Sequence, residues 1–168
     1  MTVYKTRLSL LFLSALLGPL LSYCTPPGAN EERFDVVELT IPQMQRAMEE
    51  GRITSRGLVE AHLLRIALYE ERVNAVISVN ATALAEADRL DQERTEGHVR
   101  SPLHGIPVAL KDNVHTTHIP TSGGALAFEG FLPPYEATLV TNLREAGAII
   151  LAKTVMTELA NFMASGMP

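Results

Sequence analysis

The sequence has no tryptophan, one cysteine and only 5% aromatic residues among its 168 positions. A single cysteine excludes an intramolecular disulfide framework and a thiolate zinc cluster. So few aromatics leave little from which to build stacking platforms for bases. Basic side chains are outnumbered, 14 Lys plus Arg against 19 Asp plus Glu, for a formal charge of −5. With no basic run, that balance suits no phosphate backbone, and no nucleic-acid partner is expected. Also missing are a G-x-S-x-G elbow, a phosphate loop and a dinucleotide fingerprint. What is present is enough for a folded chain, with 46% hydrophobic and 20% charged residues.

One apolar run stands out. Residues 8–21 read LSLLFLSALLGPLL, shorter than the roughly 20 residues a membrane-spanning helix needs. Lys5 and Arg7 precede it with no acid between. A basic start and a short apolar run form the pattern of an export signal. The alternative, a buried helix opening the domain, is disfavoured by Pro19 and by the position at the extreme N-terminus. Leu21-Ser22-Tyr23-Cys24 resembles a bacterial lipoprotein signal, but Tyr23 is bulky where Gly, Ala or Ser is wanted. An ordinary signal with Cys24 incidental is preferred. The expectation is an exported protein, periplasmic or extracellular, touching membrane only through its signal or a lipid at Cys24. Residues 24–37, with Pro26, Pro27 and Gly28, read as a linker to a domain over 38–168. Removal of residues 1–23 leaves 12 bases against 19 acids, a charge of −7.

Within that domain Thr40 and Gln43 form a capping box for a first helix bearing Ile41, Met44, Ala47 and Met48, with Gly51 as its stop. Thr54 or Ser55 caps a second helix over 55–70 with a stripe of Val59, Leu63, Ile66 and Ala67. Val76–Val79 reads as a strand. Asn80 caps a third helix to about 94, burying Ala83, Ala87 and Leu90. Residues 106–110 and 148–152 read as further strands, 113–135 mostly as loop, and 136–146 as a helix with Leu139, Leu143 and Ala146 in register. Alternating helix and strand patterns predict an α/β fold with strands covered on both faces.

Two lysines end apolar strands. Side chains alternate along a strand, so Ile106, Val108 and Leu110 share one face, and Pro107, Ala109 and Lys111 the other. Ligands of open α/β sheets gather at the carboxyl ends of strands. A lysine desolvated there loses preference for its charged form and becomes a candidate general base. The ordinary alternative is a strand-end lysine reaching solvent or paired with Asp112. Lys153 ends its strand in the same way, and spacing does not separate the two. His104, His115 and His118 lie close in sequence, but a loop without further ligands makes a poor metal site, and none is expected. Ser122-Gly123-Gly124 reads either as a loop near a ligand or as a turn.

From about Glu38 the chain resembles the amidase signature family. The likeness is carried by Ser101-Pro102-Leu103-His104-Gly105-Ile106-Pro107-Val108-Ala109-Leu110-Lys111-Asp112-Asn113, Pro120-Thr121-Ser122-Gly123-Gly124, Leu143-Arg144-Glu145-Ala146-Gly147-Ala148 and Leu151-Ala152-Lys153-Thr154-Val155-Met156-Thr157-Glu158-Leu159-Ala160. The resemblance implies the N-terminal part of an α/β/α domain with a mixed central sheet. It implies an amide-bond hydrolase of the Ser–cis-Ser–Lys type acting on a small-molecule amide without metal or organic cofactor. Lys111, in the K-D-N block, is then catalytic, and Lys153 is structural or pocket-adjacent.

The Gly- and Ser-rich blocks that carry the family's serines do not occur before Pro168. Ser122 and Ser165 stand outside the required motifs, so the expectation is a fragment holding the base alone. Two alternatives accompany it. One is a catalytically dead or merely binding fragment. The other is the amidase-type subunit of a tRNA-dependent amidotransferase, which calls for a cytoplasmic protein with partner subunits.

Overall fold

The computed structural model describes residues 34–160. The export-signal pattern, Cys24 and the far end of the apolar element begun at Val155 lie outside that range.

The expected capping box forms. Thr40 is extended, its Oγ1 accepts from the Gln43 backbone N–H, and the Gln43 side chain accepts from the Thr40 N–H at 2.8 Å. It opens α1 (Ile41–Glu49), which buries Met44, Ala47 and Met48 but leaves Ile41 exposed. Met44 and Met48 pack with Val36, Leu58 and Ile106, and Phe34 joins them. Among the described residues Phe34 and Val36 already pack, inside the stretch read as linker.

Thr54 caps α2 (Ser55–Val73), accepting from Gly57 N at 3.0 Å. The helix runs three residues past the expected end because no breaker intervenes before Asn74, whose left-handed backbone (φ 49°) stops it. Ala67, placed on the apolar stripe from sequence, is exposed; Ser55, Leu58 and Val59 are the fully buried positions.

Three strands make the sheet: β1 (Val76–Val79), β2 (Pro107–Lys111) and β3 (Ile149–Thr154). Their order is β1-β3-β2, with β1 antiparallel and β2 parallel to the central β3. This is the mixed sheet of an α/β fold. On one face α3 (Ala83–Thr95) sets Ala83, Ala87 and Leu90 against Val59, Ile149, Leu151 and Ala152. Thr82, not Asn80, holds the N-cap position of α3. Asn80 sits two residues earlier, accepts from Thr82 N and Oγ1, and donates through Nδ2 to Ile150 O at 2.7 Å. It ties the helix start to the central strand.

On the other face α4 (Thr138–Glu145) buries Val140 with Leu110, Ile119 and Ile150. Leu139, expected inside, is exposed. The helix starts two residues late, at Thr138, and Val140, three residues before half-buried Leu143, is the one that joins the cluster. Gly147 then turns the chain at φ +88°, where a Cβ would lie 2.9 Å from His104 Cα. His104 is fully buried, with Nε2 at 2.9 Å from Leu90 O.

Candidate active site

The parallel pairing of β2 with β3 brings their carboxyl ends side by side. Leu110 stands opposite Lys153, and Lys111 opposite Thr154. Val108 and Leu110 face the α4 cluster, whereas Ala109 lines a groove beside α2. The pleat puts Lys111 on Ala109's side and Lys153 with its ladder partner Leu110. The sheet thus separates the two lysines that spacing could not. Lys153 is 0% exposed, whereas Lys111 is exposed. The expectation that Lys111 ends a strand buried on both sides is corrected. Among the described residues Ala109 and Lys111, which share one face of β2, are both exposed, and the deeply buried lysine is Lys153.

Lys153 Nζ donates to Thr121 Oγ1 at 2.8 Å and to Pro120 O at 3.3 Å. It stands 3.4 Å from Asp112 Oδ1. That is an ion contact without hydrogen-bond alignment, since Oδ1 is buried and accepts no hydrogen bond among the described residues. Burial pushes the Lys153 ammonium below the ordinary lysine value, and the Asp112 carboxylate opposes the shift without cancelling it.

Asp112, 1% exposed, is fixed on every side. Its Oδ2 accepts from Ser122 N at 3.0 Å, Ser122 Oγ at 2.5 Å and Gly124 N at 3.2 Å. Its N–H donates to Thr154 O at 3.1 Å, and its carbonyl accepts from Gly123 N at 3.3 Å. A Cβ at Gly124 would stand 2.6 Å from Met156 O, so only glycine lets the turn close on the segment after β3. The open choice at Ser122–Gly124 resolves into a turn built on Asp112. That turn also borders a cleft of about 530 Å³ with Ile77, Ser78, Pro120, Leu126 and Glu129. Asp112 was weighed from sequence only as a partner for Lys111; its partner is Lys153. Thr121 was not singled out at all. Adjacency in the K-D-N and T-S-G-G strings was the only available signal, because the strand register, not local spacing, joins them.

The three histidines separate. His104 is a core residue. His115 meets the Tyr135 ring edge-on at 5.1 Å. His118 accepts from Arg144, which also lies 3.3 Å from Glu136 and 3.4 Å from Glu86. Burial, and then the Arg144 charge, hold His118 below the ordinary histidine value. Among the described residues no three His, Cys, Asp or Glu side chains are grouped to hold a metal.

The amidase family model matches residues 57–167. The A subunit of the glutamyl-tRNA(Gln) amidotransferase from Streptomyces coelicolor is 40% identical over 127 residues, covering 75% of this chain and 26% of the relative. The peptide amidase of Stenotrophomonas maltophilia is 44% identical with a TM-score of 0.74, over 77% of this chain and 27% of that one. An amidase family protein from Bacillus anthracis is 36% identical with a TM-score of 0.75, over 79% and 27%. The chain spans about a quarter of the length of the curated relatives it matches.

Proposed function

Because the chain belongs to the amidase family, we propose that it serves the hydrolysis of carbon–nitrogen amide bonds, with Lys111 as the proton-accepting base. The observation that carries this reading is the division of labour between the lysines. Lys153 is enclosed, bonded to Thr121 and Pro120 and in ion contact with Asp112, whereas Lys111 ends a parallel strand with its side chain exposed.

The chemistry is acyl transfer. The amine of Lys111 takes a proton through one serine, and a second serine's oxygen attacks the amide carbonyl. Backbone N–H groups hold the developing oxyanion, the amine or ammonia leaves, and water cleaves the acyl ester. Ser122 fills neither serine role, because its hydroxyl proton is directed at Asp112. The substrate is a small-molecule amide.

The test is Lys111→Ala introduced at the native locus. The expected outcome is a loss of amide hydrolysis of about 100-fold or more with the circular dichroism spectrum retained. Hydrolysis at the wild-type rate in that variant would sink the assignment.

A second reading is favoured by the curated relatives, which are amidotransferase subunits at 38–42% identity. In it the same amide chemistry works inside a complex with partner subunits. Co-purification of such partners with an unprocessed cytosolic chain supports that reading, and an exported, processed chain without them supports the first.

A further inference from the structure

We propose that Asp112 is a positioning residue for this site. Its carboxylate, balanced by buried Lys153, fixes the Ser122–Gly124 turn against the end of β2 and so fixes where Lys111 stands relative to the cleft. The inference rests on the reading of Lys111 as base and adds the groups that hold it in place.

Three features carry it. Asp112 directly follows Lys111, and its backbone N–H and carbonyl both bond away from β2, to Thr154 and to Gly123. One carboxylate oxygen gathers three donors from the turn, while the other confronts the Lys153 ammonium at 3.4 Å. Lys153 in turn holds Pro120 and Thr121, the residues that lead into the same turn. The strand end, the turn and β3 thus share one fully enclosed charge pair. Removing one member of such a pair leaves an uncompensated buried charge. An ordinary turn could be closed by backbone bonds alone, whereas here the turn bordering the cleft is referred to the residue next to the base.

The chain has three lysines, Lys5, Lys111 and Lys153, so amine labelling reads the pair directly. The experiment compares the wild-type protein expressed from its native locus with Asp112→Asn introduced there, by reductive methylation with formaldehyde and cyanoborohydride, located by mass spectrometry. Amide hydrolysis is measured in parallel. The expected result is that Lys153, protected in the wild type, is methylated about tenfold faster in Asp112→Asn. In the same variant kcat falls about tenfold or more while KM stays within about twofold, the mark of a misplaced group rather than lost substrate binding.

Should Asp112→Asn fail to fold, Ser122→Ala replaces it. This removes one donor and leaves the ion contact, and a smaller kcat loss at unchanged KM is expected. Unchanged Lys153 protection in a folded Asp112→Asn protein overturns the proposal. So does an unchanged kcat despite exposed Lys153, which leaves the pair a purely structural brace. If Lys111→Ala retains wild-type hydrolysis, the base assignment falls and the positioning role falls with it. The labelling of Lys153 still reports the brace by itself, so the two failures are distinguishable.

Discussion

Lys153 is a cation enclosed in the fold, and its burial has a thermodynamic signature. Its folded-state value lies below the unfolded value near 10.5. Between the two, the unfolded chain binds more protons than the folded one, so stability rises with pH across that window. The cost of enclosing the charge is fully present below the folded value and disappears as pH approaches the unfolded one. Urea denaturation between pH 8 and 10 should show wild-type stability gaining on Lys153→Met by up to about 1.4 kcal/mol per pH unit. Parallel curves would mean that the ammonium is solvated. The two proteins are compared by slope, because Lys153→Met also leaves Asp112 without its counter-charge.

Among the elements, the α4-to-β3 connection is closely packed. Gly147 has φ +88° and abuts His104, so Gly147→Ala meets both backbone strain and a clash with a buried ring. The expected cost is about 2–4 kcal/mol, read as a fall in thermal midpoint. A loss under about 1 kcal/mol would show that the connection yields easily. The elements also mark what could be read from sequence. The Thr40–Gln43 box was legible because a cap is local, both partners lying within four residues. The face of α4 was not. Leu139 and Val140 are adjacent apolar residues, and the N-cap, Ala137, contributes no side-chain bond to fix the start. Asn80 was misplaced for a related reason. Asn80 and Thr82 are both good capping types, and the side chain of Asn80 is occupied with Ile150 O, a contact set by the sheet.

For the whole molecule, the sequence blocks proved more informative than periodicity. The S-P-L-H-G and A-G-A strings read only as family resemblance, yet in the fold they meet where Gly105 N donates to Gly147 O at 2.8 Å. The Asp112–Lys153 pair was illegible, because a strand register unites positions far apart along the chain. The proposed export belongs to this scale too. None of the described helices is long and apolar enough to cross a membrane. If residues 1–23 act as a signal, the chain recovered outside the cytoplasm begins at Cys24 and, having lost Lys5 and Arg7, is more acidic by two charges than the unprocessed chain. Intact-mass measurement and isoelectric focusing check this, and an intact N-terminus on the exported protein would contradict it.

The position of β2 has one more consequence. Among the described residues its outer side is unpaired, with Pro107 at one end and Lys111 at the other. Proline and lysine are the residues that keep an open strand edge from recruiting other chains. Among the described residues Lys111 places a charge on that edge strand, and Lys111→Ala removes the charge at the moment it removes the amine. Lys111→Arg separates the two effects. Arginine keeps the repelling charge on the edge but does not surrender its proton, so a soluble, monomeric and inactive Lys111→Arg protein would assign the loss of turnover to chemistry alone.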